Sequence, residues 1–131
     1  MQHLLRLADQ QRVRVVEHVG RTRGGFDPAT RTIRLSPGMS ARTTRSVLAH
    51  ELGHARLGHF PASTPLLRAQ QERRADEWAA SRLITLRAYA EAEQVRGPHL
   101  ASLAFELDVT MELVTAYQRL LRQGAVPVAA A

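Results

Sequence analysis

Within LAHELGHARLGHF, residues 48–60, three histidines and a glutamate fall close together: His50, Glu51, His54 and His59. The chemistry open to such a group is metal binding and proton transfer. Residues four apart on an α-helix are offset by only about 40° at 3.6 residues per turn, so His50 and His54 can aim two imidazoles at one ion. Glu51 lies about 100° further round than His50 and cannot easily share that position. It can instead reach a water on the metal, which makes His-Glu-x-x-His two ligands and a general base. Zinc suits neutral imidazole and lowers the pKa of a bound water to about 7. Glu51 would take that water's proton during attack on a carbonyl and pass it to the leaving amine. A helix alone cannot complete such a site, so a third ligand must come from elsewhere.

His59 is not that ligand. On a continued helix it would lie about 180° from His50. The longer protease motif needs Gly at position 57 and His at position 60, where this chain has Leu57 and Phe60. His59 is expected to be a helix-end histidine interacting with the last carbonyls. The stretch QQERRADEWAA, residues 70–80, offers a better candidate. Glu72 and Asp76 are four apart on one helical face, and Ala75, Ala79 and Leu83 continue the stripe. Carboxylates on a small, apolar stripe are costly unless paired or bound to a metal. Glu72 is favoured as third ligand, with Asp76 accepting the free ring N–H of His50 or His54. Asp76 and Glu77 are rival ligands, and a surface pair with Arg68 is the plain alternative for Glu72. A His2Glu set leaves a fourth position for water, the mark of a catalytic zinc.

The elements that must position these groups follow from periodicity and punctuation. Residues 2–10 read as a short helix, RVRVVEHV (12–19) as a strand, GRTRGG (20–25) as a flexible turn, FDPAT (26–30) as a tight turn and RTIRL (31–35) as a second strand. Residues 12–35 are therefore expected to form a small antiparallel sheet. The zinc-bearing helix should run from Ser40 to Leu57, with Val47, Leu48, Leu52 and Ala55 inward and Gly58 capping it in a left-handed conformation. A long helix is expected from Leu66 to Val95, where small Ala75 and Ala79 would let it approach the zinc helix closely. Gly97-Pro98 breaks it. Residues 99–124 read as a helical hairpin jointed at Asp108-Val109-Thr110, and residues 125–131 as a flexible tail. The predicted fold is α+β, one domain over 1–131 with its core at 12–95 and a C-terminal helical cap.

Composition narrows the function. The 131 residues contain no cysteine, so disulfides and thiolate metal sites are excluded and a metal must be held by His, Asp or Glu. No apolar run is long enough to span a bilayer, and the first residues lack the pattern of a signal peptide. A cytoplasmic protein of bacterial or phage origin is expected. The formal charge is +6 and all 18 basic residues are arginine. They are scattered, with no basic run beyond two residues, which suits a solvated surface better than a nucleic-acid footprint.

TIRLSPGMSARTTRSVLAHELGHARLGH followed by ERRADEWAASRLI resembles the ImmA/IrrE family of metallopeptidases. The likeness runs from about Val13 to Ile84 and is weaker over the C-terminal helices. It implies that His50, His54 and Glu72 bind zinc and that Glu51 is catalytic. It also implies a cytoplasmic protease of phage, mobile-element or stress-response type that cleaves helix-turn-helix repressors. One departure stands out. The family follows its second motif with an apolar pair and a proline, whereas SRLITLRAY has Thr85 and Leu86 there, so the helix is expected to run on.

LASLAFELDVTMELVTAYQRLL (100–121) has the rhythm of a helix-turn-helix, with Ala101, Leu103, Ala104, Leu107, Val109, Leu113, Val114, Tyr117 and Leu120 packing inward. Its second helix starts with Thr110, Met111 and Glu112, and Arg119 and Arg122 come late, which is poor for reading bases. A core-closing cap is the favoured reading, and direct nucleic-acid binding is not expected. Trp78 is expected to anchor the core, and His3, His18 and His99 to be ordinary polar residues. The primary expectation is a zinc endopeptidase. The alternatives are a non-catalytic binding protein that keeps the zinc fold and a basic DNA-binding protein. An extended substrate is expected to pair with an edge strand at 31–35.

Overall fold

In the computed structural model, which describes residues 1–125, the chain leaves helix α1 (Gln2–Gln10) through a left-handed Arg12 and enters strand β1 (Arg14–Glu17). Leu4 and Ala8 on α1 and Val13 behind it are buried. Strands β2 (Gly24–Asp27) and β3 (Thr32–Leu35) form a hairpin. Its turn is closed by the Asp27 carboxylate, which accepts from Ala29 N–H at 2.9 Å and the Thr30 hydroxyl at 3.1 Å.

The sheet is mixed, not antiparallel as expected. Its order is β1-β3-β2, with β1 parallel to β3 from Arg14↔Thr32 to Glu17↔Leu35 and β2 antiparallel to β3. The cause lies in residues 18–23, which step over the end of β3 and so leave β3 in the middle. Arg34 ties that crossing down by donating to the Thr22 carbonyl at 2.7 Å, the Thr22 hydroxyl at 2.8 Å and the His18 carbonyl at 2.9 Å. The stretch expected to be a flexible turn is thus partly strand, since Gly24 and Gly25 belong to β2, and partly a pinned loop. Ile33 and Leu35 alternate inward from β3, as a half-buried strand requires.

Helix α2 (Ala41–Arg56) begins where expected, with the Ser40 hydroxyl accepting from Thr43 N–H at 3.1 Å. Gly58 ends it at φ +68°. Val47, Leu48, Leu52 and Ala55 are buried along its length. Helix α3 (Pro65–Leu83) stops well short of the expected end. Ile84 turns extended and buries itself, and the Thr85 hydroxyl accepts from Ala88 N–H at 3.1 Å to start helix α4 (Leu86–Arg96). One long helix is therefore two, because a buried isoleucine and a threonine cap end the first without any proline.

Helices α5 (Leu100–Leu107) and α6 (Met111–Arg122) meet at a left-handed Asp108 and a buried Val109. Leu103, Ala104, Leu113, Val114, Tyr117 and Leu120 are buried as expected, but Ala101 faces solvent. Helix α6 lies against α3, where Arg119 pairs with Glu77 at 3.1 Å, and its cap residue is held by α2: Thr110 N–H donates to the buried Ser46 hydroxyl at 3.1 Å. Tyr117 packs on Tyr89 with ring centroids 5.3 Å apart, joining α6 to α4. Among the described residues no helix is long and apolar enough to cross a membrane. The tail expected at 125–131 lies, beyond Ala125, outside the described residues.

Candidate metal centre

The site forms where α2 and α3 come together. Gly53 sets their spacing. A Cβ built on it would lie 2.9 Å from the Ala75 carbonyl oxygen and 3.2 Å from the Ala75 Cα. Ala75 and, one turn on, Ala79 are fully buried. The small stripe on α3 was legible in the sequence. The matching glycine on α2 carries a weaker signal: a glycine inside a helical pattern commonly marks such an approach, but nothing local says which helix it will meet.

This spacing brings His50, His54, Glu72 and Asp76 together. His50 Nε2 and His54 Nε2 are 3.1 Å apart, and Glu72 Oε2 lies 3.0 Å from the first and 2.6 Å from the second. On the far side of its ring, His50 Nδ1–H donates to Asp76 Oδ1 at 2.7 Å. Glu72 does not pair with Arg68, and Glu77 is turned away toward Arg119. Ligand atoms of His50, Glu51 and His54 also lie within 4.8 Å of one another, so this group could bind a metal ion. Glu72 sits closer to the two Nε2 atoms than that limit, while Glu51 lies to the side, buried beneath β2. Three donors around a tetrahedral ion at about 2.0–2.1 Å lie roughly 3.3 Å from one another. Two imidazoles and a carboxylate in this array are of the chemical type that zinc accepts.

The electrostatics reflect the same crowding. Burial disfavours charge on His50, but the hydrogen bonds to Asp76 and Glu72 and the nearby Glu51 outweigh it and raise its pKa to about 10. Glu72 is held well below the usual carboxylate range by its bonds to His50 and His54. Burial pushes Glu51 up, against the opposing pull of His50 and His54. A carboxylate shifted toward neutrality by burial suits a group that must take up a proton and release it again.

Two further features of the site do not follow from helical periodicity: the glycine of β2 and the contact that His59 makes. Gly24 lets the edge strand β2 lie directly on α2, since a Cβ there would meet Val47 Cγ1 at 2.6 Å and approach Glu51 Oε2 to 3.4 Å. His59, set aside as a ligand, does not face the triangle of donors. Its Nδ1 lies 2.9 Å from His54 Nδ1, on the side of that ring away from Glu72. Burial and the neighbouring His54 and Arg74 lower its pKa. Trp78 is a half-buried edge of the core, covered by Arg82 at 5.3 Å.

Cavities open on both sides of Glu51 and Glu72. One, of about 260 Å³, runs between Arg23, Ser46 and Glu112; the other, of about 320 Å³, is walled by Phe26, Phe60 and Pro61. Arg23 and Glu112 pair at 2.8 Å across the first.

A small sheet laid over a helix that carries His-Glu-x-x-His defines a metallopeptidase-type fold. The profile of the peptidase M78 family, described as an IrrE N-terminal-like domain, matches residues 8–117, and the chain belongs to that family. The comparison with curated proteins found no match.

Proposed function

We propose that the chain is a zinc-dependent endopeptidase, with His50, His54 and Glu72 as metal ligands, Asp76 orienting His50, and Glu51 as general base. The observation that carries this reading is the convergence of two Nε2 atoms and a carboxylate oxygen within 3.1 Å beside a buried glutamate. A zinc ion held there would act as a Lewis acid toward the scissile carbonyl and ease ionisation of water at neutral pH. Glu51 then takes the proton of the attacking water on its carboxylate and returns it to the departing amine. Asp76 keeps the proton of His50 on Nδ1, leaving the Nε2 lone pair free.

The substrate binds as an extended segment along β2. The earlier expectation of an edge at 31–35 fails, because β3 is paired on both sides. Among the described residues strand β2 is paired only with β3, and it lies next to Glu51, so its other edge is the one that can add a strand from a partner. The family resemblance suggests a helix-turn-helix repressor as that partner, cleaved in the cytoplasm of a bacterium or during a phage or mobile-element cycle.

Elemental analysis combined with a cleavage assay on helix-turn-helix repressors tests the reading. One zinc per chain is expected in the wild type and in Glu51→Gln, and little in Glu72→Ala. Glu51→Gln should slow cleavage by about 100- to 10,000-fold. A wild type that takes up no zinc on reconstitution would sink the proposal and favour a binding protein on the same fold. A fully active Glu51→Gln would remove Glu51 from the role of base.

A further inference from the structure

We infer that His59 is a positioning residue for the metal site: its Nδ1 accepts a hydrogen bond from His54 Nδ1–H and thereby holds the His54 ring with its Nε2 lone pair toward the metal. This rests on the zinc-site reading above.

The argument begins with the end of α2. Gly58 at φ +68° reverses the chain, and His59 N–H donates back to the His54 carbonyl at 3.0 Å while Gly58 N–H reaches the Ala55 carbonyl at 3.3 Å. This left-handed closure folds His59 against the residue five positions before it. The rings meet edge-on, with centroids 5.1 Å apart and planes at 64°. The Nδ1 atoms are 2.9 Å apart, a hydrogen-bonding distance.

With a metal ion on His54 Nε2, only one proton arrangement in this pair remains. Its Nε2 lies 2.6 Å from Glu72 Oε2 and 3.1 Å from His50 Nε2. A ring that binds a metal through Nε2 must carry its proton on Nδ1. That proton needs an acceptor, and a neutral His59 supplies one, with its own proton on Nε2. Were His59 the donor, an N–H of His54 would point into the cluster of donors and block the ion. The two ligand imidazoles are therefore held by different groups: His50 by the carboxylate of Asp76 at 2.7 Å, and His54 by an imidazole from the end of its own helix. His59 is also excluded as a ligand, since His54 stands between it and Glu72.

The test is zinc affinity at one fixed pH, measured by competition with a chromophoric chelator, for the wild type, His59→Phe and His59→Asn. Phenylalanine keeps a ring and removes the acceptor. Asparagine places a carbonyl oxygen near the position of Nδ1. Loss of such an outer partner typically weakens metal binding 10- to 100-fold, so His59→Phe should bind zinc about tenfold or more weakly and His59→Asn within about threefold of the wild type. Ring ¹⁵N shifts of His54 in the zinc-loaded wild type should report a protonated Nδ1, and the metal-free variants should melt together. Equal affinity in His59→Phe and the wild type overturns the inference, and so does equal loss in both variants, which would make His59 merely structural. A wild type without zinc affinity overturns the zinc-site reading itself.

Discussion

Gly53→Ala is the substitution by which the structure most directly couples packing to chemistry. The added methyl would stand 2.9 Å from the Ala75 carbonyl oxygen, 3.2 Å from the Ala75 Cα and 3.4 Å from Trp78 Cε3. Two of these are backbone atoms of α3, which cannot swing aside as a side-chain tip can. To reach ordinary contact the helices must part by about 0.5 Å, the difference between 2.9 and 3.4 Å. Overpacking of this kind costs about 1–3 kcal/mol. The better helix propensity of alanine returns about 0.5–1 kcal/mol. Net destabilisation of about 0–2.5 kcal/mol follows, with Tm falling by about 4 °C for each kcal/mol. The effect on the site should be larger, because His50 and His54 ride on α2 while Glu72 and Asp76 ride on α3. Metal–ligand distances tolerate only about 0.2 Å. Zinc affinity should drop about tenfold or more, equal to about 1.4 kcal/mol. Chelator competition measures it, with Gly25→Ala as control, since nothing lies within 4 Å of a Cβ there. If Gly53→Ala binds zinc within twofold of the wild type and melts at the same temperature, the helix approach does not govern the site and the reasoning is wrong.

Ser46→Ala deprives Thr110 N–H of its buried acceptor at the start of α6, and urea titration should show a loss of about 1–3 kcal/mol. Thr85→Ala removes the hydroxyl that begins α4 and should cost about 1 kcal/mol by the same measurement. The metal-free protein should also respond to pH through His50. Although burial opposes its charge, Asp76 and Glu72 raise its pKa from 6.5 to about 10. A raised folded-state pKa contributes stability that is fully present below 6.5 and is lost as pH rises through about 10. Melting of the metal-free chain should therefore fall between pH 6.5 and 9, and Asp76→Asn should flatten that fall.

The candidate site was legible in the sequence to the extent that it depends on helical periodicity. His50 and His54 share a face because they are four apart, and Glu72 and Asp76 do so for the same reason. Ser40 and Gly58 mark the two ends of α2 through their own side-chain and backbone chemistry, which operates within a few residues. The burial of Val47, Leu48 and Leu52, and of Leu113, Val114 and Tyr117, also follows from periodicity.

What only the tertiary structure decided is which elements become neighbours. Nothing local to Arg14–Glu17 says that it will run parallel to β3; the crossing of residues 18–23, held by Arg34, decides that and leaves β2 as the edge beside Glu51. Leu66–Val95 reads as continuous because alanine, glutamate and arginine favour helix throughout, yet burying Ile84 requires the chain to break there. His59 shows the difference at the shortest range. Extending α2 as an ideal helix puts it on the wrong side, but a single left-handed residue at Gly58 folds it back onto His54. Periodicity specifies a face for as long as the helix lasts. Beyond its last turn, the direction of a side chain is set by the reversal of the backbone and by what the rest of the fold places opposite it.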